Sequence, residues 1–305
     1  MGNSSVLNVS YVGSQGRHLN DYRAINLPPA SSLPALVASG GAGLNQLVQF
    51  PGYGGIRLAE NEANAHYNSL QASLNGRIRS DLHLQVSYTL SRAIDATTSN
   101  GSGGDLNNVT NPYIGWRYDI GPSQFDRTHI AFVNFVYDVP FLRNSPSRLV
   151  KSTLSGWQVS GIVTAESGAP LDLGVSGTTV ASVINNSGMR PNVNGPIRYP
   201  KTAAQWFDPS VFSAPAPGTY GNLPFDALRG PGRNNWDLSL LKNFAFTERF
   251  RMEFRAESFN AWNHTQFKGD KNNGGISLNE GSSNFGAVTS AFNGREFQLG
   301  VKLIF

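Results

Sequence analysis

Arg295-Glu-Phe-Gln-Leu-Gly-Val-Lys-Leu-Ile-Phe305, the closing stretch of the chain, decides the fold class. Its odd positions Phe297, Leu299, Val301, Leu303 and Phe305 are apolar. Its even positions Glu296, Gln298, Gly300 and Lys302 are polar or small, with Ile304 the one exception. Successive side chains on a strand point to opposite faces, so this strand has one apolar and one polar face. A tilted strand crosses a bilayer core in about 9–11 residues, and this stretch has that length. An aromatic carboxy-terminus also departs from the loose polar ends usual in soluble domains.

Working outward, seven further segments repeat the alternation: residues 7–13, 69–76, 82–90, 127–138, 157–166, 236–240 and 250–257. In the third, Leu82, Leu84, Val86, Tyr88 and Leu90 alternate with His83, Gln85, Ser87 and Thr89. Ile130, Phe132 and Ile162 stand on otherwise polar faces. Helical spacing fits none of these segments as well.

The connections carry as much information as the strands. In chain order they run long, short, long, moderate, long, short, long. A transmembrane β-barrel puts short turns on the periplasmic side and long loops outside, so loop length must alternate. With Phe305 at the periplasmic side, every connection falls where that rule requires. Tyr137, Trp157, Phe244, Phe250 and Phe305 are then expected near the periplasmic interface, and Tyr11 and Trp236 near the outer one. Aromatic girdles form there because these rings pair an apolar body with a polar edge or tip. The expected fold is all-β: an antiparallel transmembrane β-barrel portion of about eight strands, spanning 1–305 as one domain, its sheet open and curved.

Composition agrees. Charged residues make up 14% of the 305, and there is no cysteine, which excludes disulfides and thiolate metal sites. The net charge of +4 comes from 24 scattered basic residues without a basic block, so nucleic acid is not an expected partner. No apolar run reaches the roughly 18 residues of a membrane helix, which a β-barrel does not need. Met1-Gly-Asn-Ser-Ser lacks the regions of a signal peptide, so the export signal is expected upstream.

A family resemblance rests on an ordered series of motifs. They are Val9-Ser-Tyr-Val-Gly-Ser-Gln-Gly-Arg-His18, Tyr67-Asn-Ser-Leu-Gln71, Val86-Ser-Tyr-Thr-Leu-Ser-Arg-Ala-Ile-Asp95 and Phe125-Asp-Arg-Thr-His129. There follow Tyr137-Asp-Val-Pro-Phe141, Gly156-Trp-Gln-Val-Ser-Gly-Ile162, Trp236-Asp-Leu-Ser-Leu-Leu-Lys-Asn-Phe244 and Arg255-Ala-Glu-Ser-Phe-Asn260. Together they resemble the carboxy-terminal barrel half of Oar-like TonB-dependent outer-membrane receptors, which carry a carboxypeptidase-regulatory-like domain. The resemblance implies the outer membrane of a Gram-negative bacterium and uptake of a large or scarce nutrient. It also implies contact with outer-membrane lipid, the barrel-assembly machinery, a plug domain and the TonB complex. A terminal Phe such as Phe305 serves as an assembly signal in such barrels. Signal peptide, regulatory-like domain and plug have no counterpart in this chain, so transport by it alone is not expected.

Catalytic chemistry has little support. The histidines His18, His66, His83, His129 and His264 show no ligand spacing, and no metal or cofactor is expected. There is no Gly-x-Ser-x-Gly elbow, and no enzymatic activity is expected. Gly52-Tyr-Gly-Gly55 and Gly101-Ser-Gly-Gly104 match no phosphate fingerprint and read as flexible loops. Gly269-Asp-Lys-Asn-Asn-Gly-Gly275 lacks the spacing of a calcium loop and reads as a surface turn. His129 reads as the start of a strand. The best candidates for function are Arg251, Glu253, Arg255 and Glu257, which alternate along one strand and must face the barrel interior, contacting substrate or plug or pairing with neighbours. A soluble or surface all-β carbohydrate-binding sandwich is the second function class these features permit.

Overall fold

The structure, a computed structural model, describes residues 4–96, 108–141, 146–186, 188–247, 249–269 and 274–305. The Gly101–Gly104 run and the centre of the Gly269–Gly275 run lie outside them.

One antiparallel sheet dominates: β1 Ser5–Ala24, β2 Arg57–Arg79, β3 Leu82–Asp95, β4 His129–Asp138, β5 Trp157–Glu166, β6 Arg233–Ala245, β7 Arg251–Phe259 and β8 Glu296–Ile304. They pair in that order, and the two-residue strand Gly121–Pro122 adds to the end of β3. Each expected strand is present. The connections 25–56, 96–128, 167–232 and 260–295 lie at one end of the sheet, and 80–81, 139–156 and 246–250 at the other. Among the described residues the pairing runs from β1 to β8 without joining them, so the sheet is open.

Register fixes the faces, because directly opposed residues share one. One row runs Leu7, Leu74, Val86, Val133, Val163, Trp236 across six strands. Another runs Leu84, Phe135, Gly161, Leu238, Ser258, Phe297. The opposite face carries rows such as Asn75, Gln85, Asn134, Ile162, Asp237. The apolar side is therefore continuous over all eight strands. At Gly161 a Cβ would come within 2.8 Å of the Phe135 ring and 2.7 Å of a Leu238 methyl, so the missing side chain makes room for its neighbours.

On both edge strands this face is bare: Leu7, Val9 and Tyr11 of β1 and Leu299 and Val301 of β8 are all more than 60% exposed. A sandwich would bury it beneath a second sheet. The true buried core lies in the long connections. Leu171, Leu173, Trp206, Phe207, Phe212, Leu223, Leu228 and Ile276 form one cluster, and Leu33, Val180, Ala181, Ile184 and Met189 a second. A wall that spends its apolar residues on lipid has none left for an internal core, so the chain that stands in water must supply its own.

The long connections interlock. Asn279–Glu280 of the fourth runs parallel to Gly174–Val175 of the third, which is itself folded back where Leu228 pairs with Leu171. Leu33 of the first connection packs with Val180 of the third. Gly52–Gly55 is not loose: the Asn26 side chain donates to the carbonyls of Phe50, Tyr53 and Gly54 and accepts from the Phe50 N–H at 2.9 Å. That corrects the expectation of a flexible segment. An Asn with both donors and its acceptor engaged replaces the missing strand contacts.

Candidate functional site: the polar face and the loop layer above it

Arg251, Glu253, Arg255 and Glu257 all lie on the polar face of β7. Opposite them on β8 stand Ile304, Lys302, Gly300 and Gln298, and on β6 Ala245, Asn243, Leu241 and Ser239. The ion pairs form within the strand: Arg255 reaches Glu253 at 3.0 Å and Glu257 at 3.9 Å. Residues two apart on a strand share a face, so one guanidinium can bridge both carboxylates. The Arg255 side chain is 49% exposed, and such a pair contributes under about 1 kcal/mol. The charges therefore remain accessible to an incoming partner.

Two concavities adjoin the ladder. One of about 440 Å³ lies among Glu253, Arg255, Glu257, Gln298 and Lys302. The other, about 490 Å³, includes Gln158, Ser160, Asp237, Ser239, Arg255 and Phe259. Gln158 donates to Asp138 at 2.8 Å, and Asp237 accepts from the Asn235 amide and the Asn260 N–H, both at 2.9 Å. The strands thus converge several amides and carboxylates on one surface, interspersed with Val136, Ile162, Leu241 and Phe259. Gln158 and Asp237 were readable only as alternating polar residues; their company with Arg255 is a matter of register.

The loop layer adds a second polar centre. Arg190 is 3% exposed and donates to Asp119 at 2.8 Å, to the Leu223 carbonyl at 3.0 Å and to the Tyr118 carbonyl at 2.6 Å. Its guanidinium stacks 3.8 Å from the Tyr118 ring centre. Burial pushes the Asp119 carboxyl up, against the pull of Arg190 and the Thr110 N–H. Burial also raises the phenols of Tyr113, to about 12, and of Tyr118 and Tyr220. Tyr220 meets Tyr113 and Tyr118 edge-on, at 6.5 and 5.9 Å. Nearby, a hollow of about 330 Å³ is lined by Arg23, Glu62, Tyr113, Trp116 and Arg117.

The segment Phe125–His129 has a structural task. Asp126, 2% exposed, accepts from the Ala93 N–H at 2.6 Å and pairs with Arg229 of the third long connection. His129 opens β4 as expected, with Nδ1 2.8 Å from the Tyr88 hydroxyl. Among the described residues no three metal-ligating side chains gather. Phe305, 97% exposed, ends the apolar face of β8.

The family model for an outer membrane beta barrel domain matches residues 1–298. Comparison with curated proteins gives no match. Among solved structures, the outer membrane transporter YddB from Escherichia coli is similar with 11% identity and a TM-score of 0.48, over 100% of this chain and 30% of that one. This chain spans less than a third of the length of that transporter. A continuous bare apolar face, a polar opposite face, and long and short connections sorted to opposite ends are what a bilayer-spanning barrel wall requires. The chain belongs to the outer membrane β-barrel domain family, and it resides in the outer membrane.

Proposed function

We propose that this wall is part of a TonB-dependent receptor of the Oar-like kind, which takes up a large or scarce nutrient and performs no chemical step on it. The observation that carries the reading is the mixed character of the interior face. Phe132, Ile162 and Phe259 are 44%, 53% and 41% exposed there, beside the half-exposed Arg255 ladder. An interior filled only with water gains nothing from bare aromatic and branched side chains. A folded plug seated in the lumen covers them and pairs with the ladder. Arg251, Glu253, Arg255 and Glu257 are then contacts for the plug, or for substrate as it passes. The loop layer, with its own cores, presents a fixed surface for capture from outside.

Other partners follow from the same reading. Lipid covers the apolar face, the TonB complex supplies energy through the plug, and the barrel-assembly machinery grips the Phe305 end. Cells making the full-length receptor should grow on scarce large nutrients only with TonB and an intact proton gradient. Growth that survives loss of both would make the barrel a passive pore and sink the proposal.

A further inference from the structure

Above the apolar belt, one hollow is built from groups that neither the wall nor the loop cores use. It measures about 330 Å³ and lies between the outer ends of β1 and β2 and residues 112–117 of the second long connection. Pockets for small solutes begin at roughly that size. Between Gly16 and Asp21 the pairing of β1 with β2 shifts register twice. Shifts of this kind re-aim side chains near binding sites. Glu62 falls within the second shift and Arg23 just beyond it, and both line the hollow.

The walls of the hollow are held by the fold. The Tyr113 hydroxyl donates to the Pro28 carbonyl at 2.9 Å, and the ring meets Tyr220 edge-on. Tyr113 is thereby fixed while remaining 37% exposed. Trp116 opens the short turn Trp116–Asp119, with the Arg117 guanidinium 5.6 Å from its ring centre. Arg23 Nε donates to one Glu60 oxygen at 2.9 Å and Nη2 to the other, which leaves Nη1 without a partner among the described residues. Glu62 and Arg117 are exposed, and neither has an ion pair among the described residues. With Arg23 neutralised by Glu60, the charges left along the hollow are one carboxylate and one guanidinium, which balance.

We propose that this hollow binds a neutral carbohydrate, one end of an oligosaccharide, on its way to uptake. A hydroxyl both donates and accepts, so adjacent sugar hydroxyls suit a site with open N–H groups on Arg23 and Arg117 and an open carboxylate on Glu62. The C–H face of a sugar ring is apolar and lies flat on aromatic rings such as Tyr113 and Trp116, which give wide contact for few rotatable bonds. Balanced charge gives an anionic or cationic ligand no net advantage. Walls already fixed spare the entropy of ordering them on binding. The inference rests on the uptake reading and names its nutrient class. Binding by this chain needs neither TonB nor a proton gradient, so the two fail separately.

The test is titration calorimetry on the full chain in a detergent without a sugar headgroup. The probes are maltohexaose, cellohexaose, xylohexaose and mannohexaose, with hexagalacturonate as the acidic counterpart. At least one neutral sugar should bind. Glu62→Ala and Arg117→Ala should each weaken it about tenfold, as loss of one hydrogen bond to a charged group does. Trp116→Ala should abolish binding, whereas Trp262→Ala, which removes a 67% exposed ring of the fourth connection, should leave it unchanged. If Trp116→Ala does not fold, the two exposed positions decide. The proposal is overturned by silence of every neutral probe or by tighter binding of the acidic hexamer. Unchanged affinity in both Glu62→Ala and Arg117→Ala, or an equal loss in Trp262→Ala, also overturns it. Sugar binding together with growth that ignores TonB would uphold this site and remove only the TonB-dependent reading.

Discussion

Val301 of β8 stands directly opposite Phe254 of β7, and both belong to the apolar face that continues through every strand of the wall. Gln298 on the same strand faces the other way, opposite Glu257. Val301→Arg should cost about 2–4 kcal/mol as a cation near the bilayer midplane. Gln298→Arg gains a carboxylate across the strand and should cost far less. Denaturant titration in bilayers would compare them; equal losses at the two sites would reverse the assignment of faces.

The wall was legible because a bilayer divides it into two environments that alternate with the side chains. Where that division ends, so does the signal. The alternation marks β1 and β2 only over 7–13 and 69–76, whereas the strands run over Ser5–Ala24 and Arg57–Arg79. Their outer parts, with Glu60-Asn61-Glu62, stand above the apolar belt, and both faces there are wetted. The loop cores were not legible, since Leu171 and Ile276 meet across chain that carries no period. The direction of the Arg251–Glu257 ladder followed from parity. Its pairing within β7, rather than across strands, depends on rotamers that sequence does not encode.

Alkaline pH should loosen the loop layer before the wall. The folded pKa of Tyr113 is raised to about 12 by burial, and those of Tyr118 and Tyr220 are raised for the same reason. A group with a raised folded pKa gives stability that is complete below its unfolded value, about 10, and is lost as pH climbs through the folded one. Near-ultraviolet circular dichroism should hold up to about pH 10 and fall toward pH 12, with tyrosinate absorbance rising late. Ionisation of every phenol at the ordinary value, with no loss of signal, would contradict this.

Arg190→Ala strands the Asp119 carboxylate and removes three further contacts in the loop layer. Loss of one partner from a buried pair costs about 3–5 kcal/mol. The change should expose residues 108–128 and 188–232 to protease while β1–β8 remain protected. Unchanged cleavage kinetics would show that the hydrophobic clusters hold the layer without it.

Deleting Phe305 removes a ring that is 97% exposed and touches little of the fold. Stability of the refolded wall should hardly change, whereas the yield inserted in cells should drop sharply. Normal membrane yield would remove the assembly role proposed for it.

Lys242 tests how the wall treats a cation on its lipid side. It occupies the apolar column of β6, between Leu240 and Phe244, yet is 1% exposed. Its Nζ donates to the Ser155 carbonyl and, at 3.3 Å, to that of Asn243, with the Phe244 and Trp157 ring centres 4.8 and 5.9 Å away. Ser155 closes the helix Arg148–Leu154, whose carbonyl end favours a cation. Gly156, at a φ of 74°, turns the chain directly after it and has the ammonium as its nearest neighbour. The lysine therefore pins the moderate periplasmic connection to the barrel wall, with its stem in the belt and its charge at the boundary. Lys242→Met keeps the stem and suits lipid but leaves the Ser155 carbonyl without its donor, at about 1–3 kcal/mol. Lys242→Glu puts a carboxylate against the helix's carbonyl end and should be the worse of the two. Urea midpoints in bilayers would rank them, and a methionine variant as stable as the parent would mean that Lys242 holds nothing in place.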